Sequence, residues 1–249
     1  MIKVENFYVR QPVDKQLTFD YDQKCKKRPS WIKFHEIPHT HQFIKISIDN
    51  EAFWYRRYFE NYYFPLNNTK EDYENYYDEV AESYESMVPQ NKEIAEFIIK
   101  KMSEFKVDKK GLILEIGAGT GLVSEKIAQK GYDNLVLVDI SQKCLNIAKR
   151  KKSLAKCKFI KENILKFNYP KKFKAIYNSM SMDYFNEQEL NKLLGIIALH
   201  LGKNGIFISV DRHIYKEYEE HFTILDSGSF MLKTKEGEFR YDYFIGKNV

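Results

Sequence analysis

Short apolar runs and stretches of helical spacing alternate along the second half of the chain. Leu112 to Ile116 is apolar apart from Glu115, Leu135 to Val138 is wholly apolar, and Ile206-Phe207-Ile208-Ser209-Val210 is nearly so. Runs of that length and composition predict buried strands, and Lys156 to Ile160 and the segment opening at Phe173 predict two more. Between them lie amphipathic helices. Ile94, Ala95, Phe97, Ile98, Ile99 and Met102 fall on one face of 91–105, and apolar positions recur through 122–128. Ser141 suits the N-cap of a helix reaching about Lys151. Leu190, Leu193, Leu194, Ile197 and Leu201 line one face of 187–201, with Gly202 placed as its C-terminal stop. Strands alternating with helices in this way predict an α/β protein built on a mostly parallel sheet. Two further strands, 221–234 and 237–246, close the chain and are joined at Lys235-Glu236-Gly237.

The first seventy residues read differently. They are rich in aromatic residues, and Ile44, Ile46 and Ile48 alternate with polar neighbours as in a strand. Asp49-Asn50 can cap a helix, so the aromatic stretch EAFWYRRYFENYYF from Glu51 to Phe64 is predicted as a helix that ends at Pro65. From Glu71 to Met87 a single helix is expected, with Tyr73, Tyr77, Val80, Ala81 and Tyr84 on one stripe. The division this suggests is an N-terminal extension of residues 1–70 and a main domain of residues 71–249.

Candidate chemistry begins at Gly117-Ala118-Gly119-Thr120-Gly121, which joins a buried strand to a helix. Glycine there permits positive φ and lets a ligand meet the backbone without a Cβ in the way. The helix after the turn offers its unpaired N–H groups to that ligand. The next strand ends in a carboxylate, Asp139, and an acid at that point of an α/β unit can accept both hydroxyls of a ribose. A nicotinamide dinucleotide site would want a small residue where the chain has Leu122, which disfavours an oxidoreductase.

The run Glu115-Ile116-Gly117-Ala118-Gly119-Thr120-Gly121, together with Leu137-Val138-Asp139-Ile140-Ser141, resembles the class I S-adenosylmethionine-dependent methyltransferases. The resemblance covers residues from about Tyr73 to the C-terminus. It implies a Rossmann-like, doubly wound sheet of seven strands with an antiparallel C-terminal hairpin, and S-adenosylmethionine as the cofactor. It also implies that the glycine turn, with Glu115, Gly117, Ala118, Gly119 and Gly121, holds the methionine part. Asp139 would then hold the ribose, and Ile140 would pack on the adenine. Asn163 stands where the family often has an acid facing the adenine amino group, and its side-chain oxygen can still accept that bond; Ile164 would offer a backbone N–H to the ring. The segment Tyr77-Asp78-Glu79-Val80-Ala81-Glu82-Ser83-Tyr84 looks like a helix whose aromatic residues close over the cofactor in many relatives, so Tyr77 and Tyr84 join the candidate set, with interface packing as the plainer reading. Ligands in open α/β sheets sit at the carboxyl ends of strands. Asn178 and Ser179 therefore fall near the methyl donor, while Asp183, Tyr184 and His213, together with Asp211, are the candidates for orienting or deprotonating an acceptor.

Composition narrows the partners only a little. The formal charge is +5, but it is unevenly spread. Residues 71–90 hold seven acids and no base, and residues 143–174 hold twelve Lys or Arg against Glu162 alone. The basic segment could be a nucleic-acid footprint, though a solvated face is the plainer reading because eleven of the twelve bases are lysine and only Arg150 is arginine. His35, His39 and His41 straddle Pro38, whose turn works against a metal site, and Cys25, Cys144 and Cys157 show no paired spacing. No metal is expected. Neither a signal peptide nor a membrane span is apparent, so a cytoplasmic enzyme with a small-molecule acceptor is expected. The alternatives are methylation of RNA or protein, or a non-catalytic cofactor-binding protein of the same fold. The motif Asn-Pro-Pro-Tyr is absent after the fourth strand, which removes support for the base or glutamine methylation associated with it. Replacing Asp139 by Ala is expected to abolish tight cofactor binding while leaving the fold intact. Calorimetric titration with S-adenosylhomocysteine checks this, and wild-type affinity in the variant would refute the ribose assignment.

Overall fold

The structure, a computed structural model, describes residues 2–9, 41–48, 51–59, 62–65, 70–88, 90–212, 215–234 and 237–248. Side chains are described from Tyr73 onward, with Met87, Asp183 and Thr234 excepted. Two compact units divide the chain, Met1–Tyr76 and Tyr77–Val249.

In the first unit four strands, β1 (Ile2–Val9), β2 (His41–Ile48), β3 (Glu51–Phe59) and β4 (Tyr62–Pro65), form an antiparallel sheet in sequential order. The strand expected around Ile44 is present as β2. The helix expected over Glu51 to Phe64 is not: this segment makes β3 and β4. Phe, Trp and Tyr are favoured on a pleated surface at least as much as in a helix, and no alanine or leucine run supports helix there. Ile48 pairs with Glu51, so β2 and β3 form a tight hairpin. An Asp-Asn pair at that spacing signals a hairpin as well as a helix cap; Asp49 and Asn50 themselves lie outside the described residues, as do residues 24–28, His35 and His39.

The second unit holds a seven-stranded sheet. Its parallel strands are β5 (Ile113–Ile116), β6 (Leu135–Asp139), β7 (Lys158–Lys161), β8 (Phe173–Ser179) and β9 (Leu201–Asp211). The C-terminal hairpin, β10 (Phe222–Thr234) and β11 (Gly237–Asn248), completes the order β10-β11-β9-β8-β5-β6-β7. Strand β11 runs antiparallel to both its neighbours, so the last strand of the chain lies inside the sheet and β10 takes the edge. The chain runs outward from β5 to β7, then returns to β8 on the other side of β5. That reversal opens a crevice at the carboxyl ends of β5 and β8.

Side-chain alternation explains how the sheet buries both faces. Ile113 of β5, Leu135 and Leu137 of β6, and Ala175 and Tyr177 of β8 join one core. Ile94, Ile98 and Met102 of α3 (Asn91–Glu104) and Ile127 of α4 (Leu122–Gln129) complete it. Leu114, Ile116, Val136, Val138 and Ile176 face the other core, against Leu190, Leu193, Leu194 and Ile197 of α6 (Glu187–His200). A capping box between Asn186 and Glu189 starts α6. Helix α6 does not stop on a left-handed Gly202 as the sequence suggested. Leu201 is already extended, and the left-handed residue is Asn204, at φ 61°.

The single helix expected from Glu71 to Met87 is two: α1 (Lys70–Val80) and the short α2 (Tyr84–Met87). Ser83 causes the break locally. Its Oγ donates to Val80 O at 3.1 Å and its N–H donates to the same carbonyl at 3.0 Å, taking an acceptor that the helix would otherwise use four residues on.

Two features of the sequence find their explanation in packing. The acidic stretch lies against the start of the basic one: Glu82 pairs with Arg150 at 3.4 Å, and Glu85 with Lys151 at 2.7 Å. Lys151, only 12% exposed, also reaches Glu125 at 2.9 Å. Part of the charge asymmetry is therefore matched within the fold. Lys158 and Lys161 mark the outer strand β7, where lysines discourage edge-to-edge pairing. Among the described residues no helix is long and apolar enough to cross a membrane.

His200, at the end of α6, is buried, and both ring nitrogens are engaged. Nδ1 lies 2.8 Å from Ile196 O, and Nε2 accepts from Tyr169 N–H at 3.1 Å. A phenylalanine would fill the space between Phe167 and Phe173 but leave the Tyr169 N–H without this acceptor. His200→Phe is expected to cost about 1–3 kcal/mol, read by urea denaturation. An unchanged midpoint would show that the ring contributes by packing alone.

Candidate cofactor and acceptor site

The site is built on the turn after β5. Gly117, Gly119 and Gly121 have φ of 68°, 53° and 73°. A Cβ on Gly117 would fall 2.6 Å from Ser181 Cβ, because Ser181 packs on the turn while its Oγ donates to Ile116 O at 3.1 Å. At Gly121 a Cβ would meet Leu154 Cδ1 at 2.8 Å and Ala148 Cβ at 3.0 Å. That glycine therefore serves the close packing of the turn against α5 (Gln142–Lys149) and the segment after it. Gly117 is exposed and Gly119 partly so, while Ala118 and Thr120 point inward. Two glycines thus present backbone to solvent, and their partners hold the turn.

Asp139 ends β6 beside this turn. Its Oδ2 accepts from Gly119 N–H at 2.7 Å and its Oδ1 from Ser141 N–H at 2.8 Å. Burial pushes the carboxyl above its ordinary value, and these N–H groups together with that of Ile140 work in the opposite direction. Ser141 caps α5 as expected, its Oγ accepting from Cys144 N–H at 3.0 Å. Burial raises the Cys144 thiol to about 12, which keeps it unreactive.

Three tyrosines gather over the turn. The ring of Tyr77 lies edge-on to Tyr84 at 5.8 Å and to Tyr184 at 6.0 Å, and the hydroxyls of Tyr77 and Tyr184 are hydrogen-bonded. Tyr84 Cε1 is 3.4 Å from where a Gly119 Cβ would stand. The sequence named all three tyrosines, but not that one from the acceptor side would bond to one from the cofactor side. The backbone of Asp183 lies in the same 3-10 turn, Met182–Tyr184, as Tyr184. His213 lies outside the described residues.

Other candidates are drawn away from the open crevice. Glu115 is 2% exposed and accepts from Ser124 Oγ, which lies 2.8 Å from Tyr177 Oη. Burial raises the Glu115 carboxyl to about 8, and it pushes the Tyr177 phenol well above its ordinary value. Asn178 is fully buried and donates from Nδ2 to Asp211 Oδ2 at 3.3 Å. The Asp211 carboxylate also accepts from Met182 N–H at 2.9 Å and Arg212 N–H at 2.9 Å, so it holds the turn after β8. Within that turn Met180 sits at φ 56°, a left-handed conformation unusual for a methionine, and its N–H donates to Val210 O. Ser179 and Ile140 remain partly exposed at the strand ends. Asn163 caps a 3-10 turn, its Oδ1 accepting from Leu165 N–H at 3.0 Å, and Ile164 begins that turn. Sequence reasoning gave no role to Ser124 or Ser181, which carry no motif. It quoted Asp78 only as part of a pattern, and its partners emerge from the structure.

Comparison with known proteins bears on the class of domain. Residues 113–205 match the methyltransferase domain family. An uncharacterized methyltransferase from Alkaliphilus oremlandii is 26% identical over 157 residues, 63% of this chain and 67% of that protein. The malonyl-[acyl-carrier protein] O-methyltransferase 1 of Ilyobacter polytropus is 30% identical over 118 residues, 46% of this chain and 43% of its own length. Among solved structures, the magnesium protoporphyrin IX methyltransferase of Synechocystis with bound S-adenosylmethionine shares the fold, with a TM-score of 0.60 and 14% identity over 72% of this chain and 97% of that one. Residues 113–205 thus carry a methyltransferase domain, and the seven-stranded unit shares its fold with a methyltransferase solved with bound S-adenosylmethionine.

The buried Glu115 gives a pH test. Its ordinary value is 4.5 and its folded value about 8, so between the two the folded chain keeps a proton that the unfolded chain has released. Stability from this group is full below about 4.5 and falls as pH rises toward 8. Replacing Glu115 by Gln is expected to flatten that fall. Denaturant midpoints measured from pH 5 to 8 would refute it if wild type and variant run parallel.

Proposed function

We propose that the protein transfers a methyl group from S-adenosylmethionine to an oxygen or nitrogen of a small-molecule acceptor. The observation that carries this reading is the tyrosine cluster: Tyr77 and Tyr84 roof the glycine turn, and Tyr184 extends the same wall to the end of β8. Walls of this kind enclose a compact ligand better than a polymer strand. The name of the Ilyobacter relative favours oxygen as the acceptor atom.

When bound, S-adenosylmethionine supplies a sulfonium-activated methyl group. The residues that would hold it are Gly117 and Gly119 through exposed backbone, Asp139 at the ribose, Ile140, Asn163 and Ile164 at the adenine, and Tyr77 and Tyr84 above. Ala118, Gly121, Glu115 and Asn178 support them from behind, and Ser179 borders the donor. The protein's chief task is to align an acceptor lone pair in line with the methyl group. Tyr184 orients the acceptor, and Asp183 and His213 are the further residues that the sequence assigns to that task. A base is needed only where the acceptor must lose its proton early. The aromatic N-terminal extension of residues 1–70 is assigned to acceptor selection.

Titration with S-adenosylhomocysteine, with NAD as control, is expected to give micromolar binding of the first and none of the second. Incubation of the protein with labelled S-adenosylmethionine and separated small-molecule and RNA pools should then label the former. Label appearing only in RNA would overturn the acceptor assignment, and NAD binding alone would overturn the cofactor assignment.

A further inference from the structure

We propose that Asp78 is a positioning residue for the cofactor: through Ser141 it steadies the ribose acid Asp139, and it fixes the neighbouring Tyr77 over the glycine turn. The inference rests on the ribose assignment above and adds a residue to it. Asp78 Oδ1 accepts from Ser141 Oγ at 2.6 Å and from Lys143 N–H at 3.0 Å. Ser141 is fully buried, and its own N–H donates to Asp139 Oδ1. A continuous path therefore runs from Asp78 to Ser141 to Asp139, and from Asp139 Oδ2 to Gly119 N–H. On the other side, Tyr77 O accepts from Cys144 Sγ at 3.5 Å, so the same contact with α5 sets the tyrosine that meets Tyr84 and Tyr184.

Capping of α5 is shared, with Ser141 Oγ taking Cys144 N–H and Asp78 taking Lys143 N–H. Asp78 also brings a second carboxylate toward Asp139, where it helps to push that group up. The N–H groups at the start of α5 offset the repulsion. What the arrangement secures is the register of the ribose acid relative to the tyrosine roof.

Both bonds fall on one oxygen, which makes asparagine a diagnostic replacement. Its side-chain amide keeps an oxygen at that point and can accept both bonds, whereas alanine loses them. In titrations of the full-length protein with S-adenosylhomocysteine, Asp78→Ala is expected to weaken binding by about tenfold or more. Asp78→Asn should bind within about threefold of wild type, and adding Ser141→Ala to Asp78→Ala should cost little further. Thermal unfolding of each variant identifies any that fail to fold, in which case Ser141→Ala against Asp78→Asn carries the comparison. Wild-type affinity in Asp78→Ala, no rescue by asparagine, or losses that simply add would overturn the proposal. Failure of wild type to bind, or of Asp139→Ala to weaken binding, would instead sink the ribose assignment itself.

Discussion

The site depends on one carboxylate that joins two turns. Asp139 accepts from Gly119 N–H with one oxygen and from Ser141 N–H with the other. Its parent strand β6 lies beside β5, so a single side chain spans the carboxyl ends of both. Each turn at a strand end carries backbone donors that the helix behind it cannot use. A carboxylate between them satisfies those donors and draws the turns into register. This requires the close approach of α5, which Gly121 allows by lacking a Cβ.

The rest of the crevice is arranged around that junction. Ser181 packs on Gly117 from the β8 side, and the turn that carries it is held by Asp211 and by Val210 O. Met180 is held left-handed within this turn, a local cost of the kind that persists where surrounding bonds over-determine the backbone. The tyrosines then close the remaining side, with the Tyr77–Tyr184 bond linking α1 to the turn after β8. Glu115 has a quieter part. Its buried carboxyl, tied to Ser124, locks α4 onto β5 directly behind the glycines.

Charge organisation has the same internal logic. The acids of residues 71–90 and the bases after Lys143 are far apart in sequence, yet Asp78, Glu82 and Glu85 all meet the region of α5 and its exit. The exposed Glu82–Arg150 pair contributes little by itself. Lys151, largely enclosed between Glu85 and Glu125, ties α2 to α4 more firmly. A basic block that looks like a ligand footprint along the chain thus spends part of its charge on its own acidic block.

The sequence by itself determined the sheet of the second unit and the turn that bears its site. Buried strands, the helices between them, the glycine turn and Asp139 were legible, because each is written in local periodicity, in the residue that a left-handed turn favours, or in an acid at the end of an apolar run. It misread Glu51 to Phe64, where dense aromatics suit helix and strand alike and the pairing of β2 with β3 decides. It ran α1 and α2 together, since the diversion of Val80 O by Ser83 is invisible to apolar spacing. It also grouped Glu115 and Asn178 with Gly117 and Asp139. Only the tertiary structure shows that Glu115 and Asn178 are buried against Ser124 and Asp211, because burial at a strand end depends on what packs beside it. The Asp78–Ser141–Asp139 path belongs to the same class: its members are distant in the chain, and only the docking of one helix on another brings them together.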